Sequence, residues 1–357
     1  MTVEMTVVEQ ILDLARWAPS GDNTQPWRFE IVADGHVIIR GFDTRDHCVY
    51  DLTGHPSQIA IGALLETLRI AATGFGLRAE VRRVAAPETQ PTFEVTLVAD
   101  ATASASPLIP FIAVRAVQRR AMKTRPLSPT EKRELEASIG GDYTVFWLEG
   151  WRGRLAAACL MFASAKIRLT TPEAYEVHRS VIEWNARFSA DKIPDQAVGL
   201  DPLTMRAMHW AMRDWRRVEF LNTYLGGTLA PRIQLDFIPG LACAAHFLIV
   251  AGTRPANVDD YVAAGEAMQQ FWLTATRLGL QLQPEMTPLI FSMYAREGRR
   301  FSIRPESVAL AHEVRARLEI LVGASSLDAS VFMGRIGAGP AAVSRSTRLD
   351  LDRLILR

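Results

Sequence analysis

The chain has 357 residues, of which 48% are apolar and 22% charged, and its formal net charge is +1 at pH 7. This composition is typical of a globular protein with a full core, and the balanced charge argues against nucleic acid or an acidic membrane as a partner. The three cysteines form no CxxC pair, which argues against a disulfide framework and fits a reducing compartment. We recognise no signal peptide and no apolar run long enough to cross a bilayer, so we expect a cytoplasmic protein.

A long connection follows the first predicted helix, whose apolar periodicity runs through "VVEQILDLARWA". The stretch "ARWAPSGDNTQPWRF" (15–29) leads from this helix into the strand-like "FEIV", whereas such a link usually needs only about two to six residues. Its Asn23 and Gln25 offer both donors and acceptors, which suit the edge of a flat heterocycle, and its two prolines stiffen it. The alternative is a turn that only caps the helix.

Two stretches of the chain resemble each other and predict an internal duplication. The helix-like "IGALLETLRIAATGFGL" (61–77) aligns without gaps to "AGEAMQQFWLTATRLGL" (264–280), and each stretch contains a glycine suited to end a helix. "FEIVA" precedes the first stretch and "FLIVA" the second, so we align them as equivalent strands. The linker-like "ADATASASP" (99–107) then separates a first half, residues 1–105, from a second half, residues 106–357.

The two halves differ in a way that suggests one composite site. In this alignment "DFIPGLACAA" takes the place of the long connection and has none of its Ser, Asn, Gln or Trp residues. Only the second half opens with a basic segment, "RAVQRRAMKTRPLSPTEKREL", in which "SPTEK" predicts a helix start. Its Arg and Lys side chains are suited to grip a phosphate, and a solvated basic surface is the alternative.

An insertion over about 150–235 is rich in Trp, Arg and Met. Its Met205, Met208, Met212 and Trp215 fall at helical spacing, which is typical of a helix packed on the body of the protein. The alternative is a lid whose Met and Trp side chains shape an apolar substrate pocket, with residues 178–188 as a second helix.

Several of these motifs together resemble one known family. "ARWAPSGDNTQPWRF" is similar to the "A-x-x-A-P-S-x-x-N-x-Q-P-W" signature of the FMN-dependent nitroreductase superfamily. The repeated helix resembles the family's central helix, the basic segment its Arg-rich opening, and "FMGRIGAGPAAVSRSTRLDL" its terminal strand and Arg-containing tail. The resemblance implies an α+β nitroreductase-like fold of two fused copies, with central antiparallel or mixed sheets packed by helices, plus the helical insertion. It also implies one FMN between the copies, in a monomer built as an internal pseudodimer or in a homodimer.

The resemblance further implies a reaction and a set of flavin-binding residues. The reaction is hydride transfer through flavin N5, between a reductant such as NAD(P)H and a small organic substrate, with no side chain named as catalytic. Because Ala121 and Met122 stand where the family usually has a hydroxyl residue, the alternative is a non-catalytic flavin-binding or flavin-sequestering protein, or a degenerate relative that has lost FMN. The residues implied to contact the flavin are Pro19, Ser20, Asn23 and Gln25 at the ring, Arg119, Arg120, Lys123 and Arg345 or Arg348 at the phosphate, and Pro284 and Glu285 near N5.

Other site types find no support in the sequence. The seven histidines are scattered without HExxH spacing, which argues against a metal site. The glycine-rich "GRIGAGP" near the end of the chain is followed by proline, which argues against a Rossmann nucleotide site. A P-loop and a GxSxG nucleophile elbow are likewise missing from the sequence.

Overall fold

The computed structural model describes residues 5–102 and 104–356, which form an α+β fold as the sequence predicts. The strands are β1 (Trp27–Ala33), β2 (His36–Gly41), β3 (Leu77–Val84), β4 (Thr92–Ala99), β5 (Tyr143–Glu149), β6 (Ile182–Glu183), β7 (Phe188–Ser189), β8 (Ile193–Pro194), β9 (Ala245–Ala251), β10 (Leu280–Pro284), β11 (Ser330–Ala338) and β12 (Arg345–Ser346). The helices are α1 (Val7–Ala15), α2 (His55–Thr73), α3 (Pro129–Ser138), α4 (Gly150–Thr170), α5 (Pro172–Val181), α6 (Pro202–Ala211), α7 (Trp215–Tyr224), α8 (Leu229–Arg232), α9 (Ile238–Leu241), α10 (Val258–Arg277), α11 (Thr287–Glu297), α12 (Pro305–Val322), α13 (Ala324–Ala329) and α14 (Leu351–Leu354).

Two four-stranded antiparallel sheets form the frame of the molecule. The first sheet has the order β1-β2-β4-β3, and the second sheet has the order β5-β9-β11-β10. Counted along the chain, each sheet therefore places its strands in the order first, second, fourth, third. A duplication would produce this shared order, and the duplication itself stays a prediction.

The strand order corrects one part of the sequence alignment. "FEIVA" lies in β1, the first strand of its sheet, whereas "FLIVA" lies in β9, the second strand of the other sheet. β1 therefore corresponds to β5, and the place of the long connection is taken by the short 139–142 link between α3 and β5, not by "DFIPGLACAA". The two pentapeptides resemble each other because both are apolar strand sequences. An apolar pattern indicates that a strand is buried, but it does not indicate the position of that strand in the sheet.

Helices α2 and α10 contact each other backbone to backbone inside the main core. Gly62 of α2 faces Gly265 of α10, and a Cβ built on Gly62 would lie only 1.9 Å from the Val262 carbonyl oxygen. Beside this crossing Gln269 donates from Nε2 to Thr67 Oγ1 at 2.9 Å, so a buried hydrogen bond links the two helices. The crossing fixes the spacing of two helices that both contribute to the cavity described below.

The insertion connects two strands of the second sheet that pair with each other. β5 and β9 are antiparallel neighbours from Tyr143↔Ala251 to Glu149↔Ala245, so residues 150–244 are an excursion from one β-hairpin. The expected helix over 178–188 is wrong, because α5 ends at Val181 and short strands follow. Asn185, with a φ of 58°, takes a left-handed conformation that a helix cannot include. One of those strands, β7, pairs in parallel with β12 of the tail.

The core occupies both faces of the second sheet. One apolar cluster joins α1, α2 and α10 to both sheets, and another lies between the second sheet and α4, α11 and α12. β9 is buried along nearly its whole length as a result. Among the helices of residues 5–102 and 104–356, none combines the length and apolar character that a bilayer span requires.

Candidate functional site

A cavity of about 710 Å³ opens between the long loop (residues 16–26), the α2–α10 pair and the insertion. This volume is typical of a site that encloses a cofactor or a substrate. Ile59 and Ala60 of α2 line it, as do Met268 and Trp272 of α10. Residues of the insertion supply much of the remaining wall.

The long loop enters this cavity with a strained backbone. Asp22, Asn23 and Gln25 have φ angles of 48°, 63° and 49°, in the left-handed region that residues with side chains seldom adopt. They are three of the four such residues in the described part of the chain, so the strain is concentrated here. Strain of this kind persists only where the surroundings hold it, and it clusters at functional sites.

Two distant segments hold the strained loop through its amide side chains. Gln25 donates from Nε2 to the Ala190 carbonyl at 2.9 Å, and its Oε1 accepts from the Leu349 N–H at 3.0 Å. Asn23 donates from Nδ2 to the same Ala190 carbonyl at 3.1 Å and accepts from Arg348 at 2.9 Å. Both amides are therefore committed to shaping the loop.

The loop residues expected at a flavin ring do not all reach the cavity. Pro19, Ser20 and Asn23 line it, whereas the side chain of Gln25 is fully buried behind them. Ser20 accepts the Gln25 N–H at its hydroxyl oxygen, at 3.0 Å, which adds a further constraint on the loop. Asp22, which the sequence did not single out, also lines the cavity.

Four arginines line the cavity, and none of them forms a salt bridge with a carboxylate of residues 5–102 and 104–356. Arg119, Arg345 and Arg348 are among the residues expected at a phosphate, and the structure adds Arg115, which lies earlier in the same basic segment. Within the described residues their hydrogen bonds go to backbone carbonyls and to one amide oxygen. Arg115 also stacks over the ring of Trp272, with its guanidinium carbon 4.4 Å from the ring centroid.

Burial disfavours the charged form of these guanidinium groups. Desolvation lowers the pKa of Arg348 to about 9 and that of Arg119 to about 10, and it lowers the pKa of Arg115 well below its usual value. Neighbouring arginines add to the depression at Arg115 and Arg348, while Asp22 opposes it at Arg119. The buried Nε of Arg115 has no hydrogen-bond partner among the described residues. Such a cluster favours an anionic ligand that brings the missing charge.

Arg120 and Lys123, also expected at the phosphate, are exposed and lie outside the cavity wall. The backbone around them is fixed, because the N–H groups of Met122 and Lys123 each donate to a carbonyl at 2.7 Å. Arg120 donates to the Gln196 carbonyl at 3.4 Å, next to the Ala197 carbonyl that Arg119 reaches, but of these two arginines Arg119 alone lines the cavity. A binding role for Arg120 and Lys123 stays a prediction.

Pro284 and Glu285 line the cavity, and the Glu285 carboxylate is held by two buried cations. It accepts from His246 Nδ1 at 2.7 Å and from Arg335 Nη1 at 3.2 Å. Burial disfavours the charge on each group, but the pairing overrides it: the pKa of His246 rises to about 10, and that of Glu285 falls below its usual value. Two cations therefore face one anion behind this part of the wall.

The structure reveals two polar pairs on the wall that the sequence did not predict. Tyr50 Oη lies 3.0 Å from His178 Nε2, and Arg168 donates to Asp236 Oδ2 at 2.7 Å. All four residues line the cavity, and three of them belong to the insertion. The partners are 128 and 68 residues apart in the sequence, so no local motif could signal either pair.

The predicted methionine face of the insertion contributes to the wall in part. Met208 and Met212 line the cavity, whereas Met205 and Trp215 do not. Trp215 instead packs against Tyr175, with ring centroids 5.3 Å apart. The guanidinium carbon of Arg304, which lies outside the insertion, is 5.3 Å from the Trp215 ring centroid. The same region thus contacts the body of the protein and shapes an apolar surface of the cavity.

Comparison with known proteins supports the resemblance of the N-terminal part of the chain to the nitroreductase family. Residues 1–56, which include the long loop, match the model of the nitroreductase family. A curated protein, "Putative NAD(P)H nitroreductase acg" of Mycobacterium tuberculosis, is 33% identical over 87 residues in both strain CDC 1551 / Oshkosh and strain ATCC 25618 / H37Rv. That match covers 24% of this chain and spans only 25% of the relative's own length. The resemblance to the nitroreductase family is confirmed by these matches.

Two solved structures align with about two thirds or more of this chain, at low TM-scores. The nitroreductase-like family protein from Bacillus cereus aligns with a TM-score of 0.35 and 14% identity, over 71% of this chain and 96% of its own. The FMN-dependent nitroreductase NfnB from Mycobacterium smegmatis, in complex with NADPH, aligns with a TM-score of 0.34 and 15% identity, over 68% and 94%. Because both TM-scores are low, the assignment of the α+β fold is based on the strand order and the packing described above and not on these two structures.

Proposed function

We propose that the chain is an FMN-dependent oxidoreductase that passes hydride through flavin N5, between a reductant such as NAD(P)H and a small organic substrate. One observation carries the proposal: four arginines that form no salt bridge within the described part of the chain converge on the cavity that the long loop enters. The flavin phosphate is an anion of the kind that such a cluster favours, and guanidinium groups bind phosphate through paired N–H donors. The curated relative is described as an NAD(P)H nitroreductase, which supports this choice of reductant.

The residues present fit FMN as a ligand. Arg115 and Arg119 have donors available for its phosphate, because Arg115 Nε has no partner in the part of the chain that the structure describes and the bond from Arg119 to the Ala197 carbonyl is long, at 3.4 Å. Gln283 lines the cavity and its buried Oε1 has no partner among the described residues, so it can accept from a ring N–H. The atoms left unpaired thus include donors for an anion and an acceptor for a heterocycle.

FMN would supply the two-electron chemistry, and the chain would position it and its substrate. The long loop, held in one strained shape, would fix the plane of the ring. The cations His246 and Arg335 would hold the Glu285 carboxylate in a fixed position on the cavity wall. The insertion supplies much of the cavity wall and thereby limits the access of water.

The proposed phosphate site is tested by comparing two adjacent arginines. Arg119→Ala removes a guanidinium that lines the cavity, whereas Arg120→Ala removes one that is exposed. A lost charge-assisted hydrogen bond costs about 1.5–3 kcal/mol, so we expect Arg119→Ala to raise the Kd for FMN by about 10- to 150-fold. Arg120→Ala should leave it near the wild-type value. Equal losses in the two variants, or no loss in either, would place the phosphate elsewhere.

The reaction is tested by the absorption spectrum of the purified protein. A flavin band that NAD(P)H bleaches, and that an organic acceptor restores, is the expected result. A flavin band that no reductant bleaches would instead identify a flavin-sequestering protein. A colourless protein that takes up no added FMN would refute both functions.

We also propose that one chain holds one complete site as an internal pseudodimer. Loop residues of the first half and Arg115 and Arg119 of the second half line the same cavity, which supports this arrangement. One bound FMN per chain is the expected stoichiometry. Two bound FMN molecules per chain would contradict it.

A further inference from the structure

A second, smaller pocket lies beside the large cavity and is lined on one side by helix α11. Its volume is about 50 Å³, against about 710 Å³ for the cavity described above. Pro56, Ile59, Met286 and Ile290 line both spaces, so these four residues are common to the two walls. The rest of the small wall comes from the starts of α2 and α10, from α11 to α13 and from β11. We call this space the α11 pocket.

Two polar atoms of α11 are buried at this pocket without a hydrogen-bond partner among the described residues. They are Ser292 Oγ and Arg296 Nε. Ser292 is only 1% exposed, so bulk water does not reach its hydroxyl group. The two residues are four positions apart on the helix and both line the pocket, so their side chains lie on the same helix face. Because buried polar groups are almost always paired, two neighbouring open donors call for a ligand that accepts from both.

The charged groups on the wall of the pocket favour an anion. Arg296 and Arg315 both donate to Asp328 Oδ1, at 3.2 and 3.1 Å, so two cations share one carboxylate on the wall. Two further carboxylates lie outside the wall: Glu297 accepts from Arg296 Nη2 at 3.1 Å, and Glu319 lies 3.8 Å from Arg315. All these contacts use the terminal nitrogens of Arg296, and its Nε–H stays available to a ligand.

The imidazole of His55, also on the wall, lies in positively charged surroundings. Burial and then the charges of Arg45, Arg296 and Arg299 lower its pKa to about 4. The ring is therefore neutral near pH 7, and it stacks on Tyr261 with ring centroids 3.7 Å apart and an interplanar angle of 13°. This stack gives the pocket a flat wall and adds no charge that would compete with the arginines.

The size of the pocket limits its ligand to a few atoms. One water needs about 10–15 Å³ on this measure, so about 50 Å³ has room for roughly four non-hydrogen atoms. We propose that the α11 pocket binds a small carboxylate of about the size of acetate, whose oxygens accept from Ser292 Oγ and Arg296 Nε. Leu289, Leu327 and Val331 supply apolar surface for the short carbon part of this ligand. The site needs no flavin and involves no redox step.

Ligand-observed NMR tests the pocket with acetate as the probe. Saturation-transfer difference spectra of the acetate methyl group give the Kd for the purified full-length protein. The wild type should bind acetate saturably, and Ser292→Ala should raise the Kd at least about tenfold, the effect of one lost hydrogen bond to a charged group. Ser164→Ala is the matched control, since Ser164 is also a buried serine within a helix but lies outside the pocket. A wild type without saturable binding, or equal Kd values in the two variants, overturns the proposal.

The neutral analogue acetamide tests the role of charge. Acetamide has nearly the size and shape of acetate, but it brings no negative charge to the arginine. We expect the wild type to bind acetate at least about tenfold more tightly than acetamide, because hydrogen bonds to a charged group are the stronger ones. Equal affinities would show that the pocket does not select an anion, and the proposal would fall.

The arginines of the large cavity offer acetate a competing site, and a pair of variants separates the two. Arg119→Ala removes an arginine of the large cavity and should leave the Kd for acetate unchanged. Ser292→Ala should leave the Kd for FMN unchanged, because Ser292 lines only the smaller of the two spaces. Loss of acetate binding in Arg119→Ala but not in Ser292→Ala would assign the anion to the large cavity and refute the α11 site. A protein that binds no flavin would refute the proposed function alone, since acetate binding is measured directly.

Thermal unfolding without acetate tests the premise that the Ser292 hydroxyl is unpaired. Alanine removes a buried polar group that has no partner among the described residues, and it favours a helix more than serine does. We therefore expect the Tm of Ser292→Ala to equal or exceed that of the wild type. A lower Tm would show that the hydroxyl is already paired in the free protein, which contradicts the proposal.

Discussion

The contact between Gly62 and Gly265 makes a sharp prediction, because it leaves no room for a single methyl group. In Gly62→Ala the new Cβ would lie 1.9 Å from the Val262 carbonyl oxygen and 2.9 Å from the Gly265 Cα. Ordinary contact begins at about 3.4 Å, so the facing backbone must retreat by about 1.5 Å. Overpacking typically costs about 1–3 kcal/mol, and a clash with a rigid helix backbone belongs at the upper end, about 3 kcal/mol, while alanine returns about 1 kcal/mol of helix propensity. The expected net loss is about 2 kcal/mol.

Urea unfolding measures this loss as the product of the midpoint shift and the slope. Gly141→Ala is the control, because a Cβ there meets nothing within 4 Å and the residue is not in a left-handed conformation. Gly62→Ala should also weaken ligand binding, since α2 and α10 both line the cavity and would be forced apart. A Gly62→Ala protein with the midpoint of the wild type would refute the direct backbone contact.

Two further predictions concern the buried charges. Because pairing with Glu285 raises the pKa of His246 from 6.5 to about 10, its contribution to stability is complete below pH 6.5 and is lost as the pH rises to about 10. The urea midpoint of the wild type should fall between pH 6.5 and pH 10, and the midpoint of His246→Gln should depend less on pH. Parallel pH dependences in the two proteins would contradict the stabilising pair of His246 with Glu285. Arg348→Met removes the donors to the Ala18 carbonyl (2.7 and 2.9 Å) and to Asn23 Oδ1 (2.9 Å), so we expect the free energy of unfolding to fall by about 2 kcal/mol. The control Arg317→Met changes an exposed arginine and should leave the free energy of unfolding unchanged. An Arg348→Met midpoint equal to that of Arg317→Met would show that these bonds do not hold the loop.

Features that depend on neighbouring residues could be predicted from the sequence. The capping box at Ser128 forms as expected, with the Glu131 N–H donating to the Ser128 hydroxyl at 3.2 Å. Gly76 and Gly279 follow α2 and α10 with φ angles of 67° and 71°, the conformation in which glycine ends a helix. The α+β class and the unusual length of the loop were equally accessible, since each is a property of short stretches.

Features that depend on the path of the backbone could not be predicted. Arg119 and Arg120 are chemically identical, and only the direction of the chain decides which of them faces the cavity. The similar pentapeptides of β1 and β9 carried no information about strand order, so the alignment between the halves was misplaced. The contact between Tyr50 and His178 joins the first half to the insertion, and a single sequence gives no sign of such a pairing.

The long loop depends on partners that lie far along the chain. Gln25 is held by Ala190 and Leu349, which are 165 and 324 residues further on. The first sheet, built from residues 27–99, needs neither of them to complete its strand pairing. Contacts of such long sequence separation are the costly ones for a folding chain to close. During synthesis the first sheet can therefore assemble early, while the loop can take its final shape only after residue 349 has left the ribosome and the tail has docked.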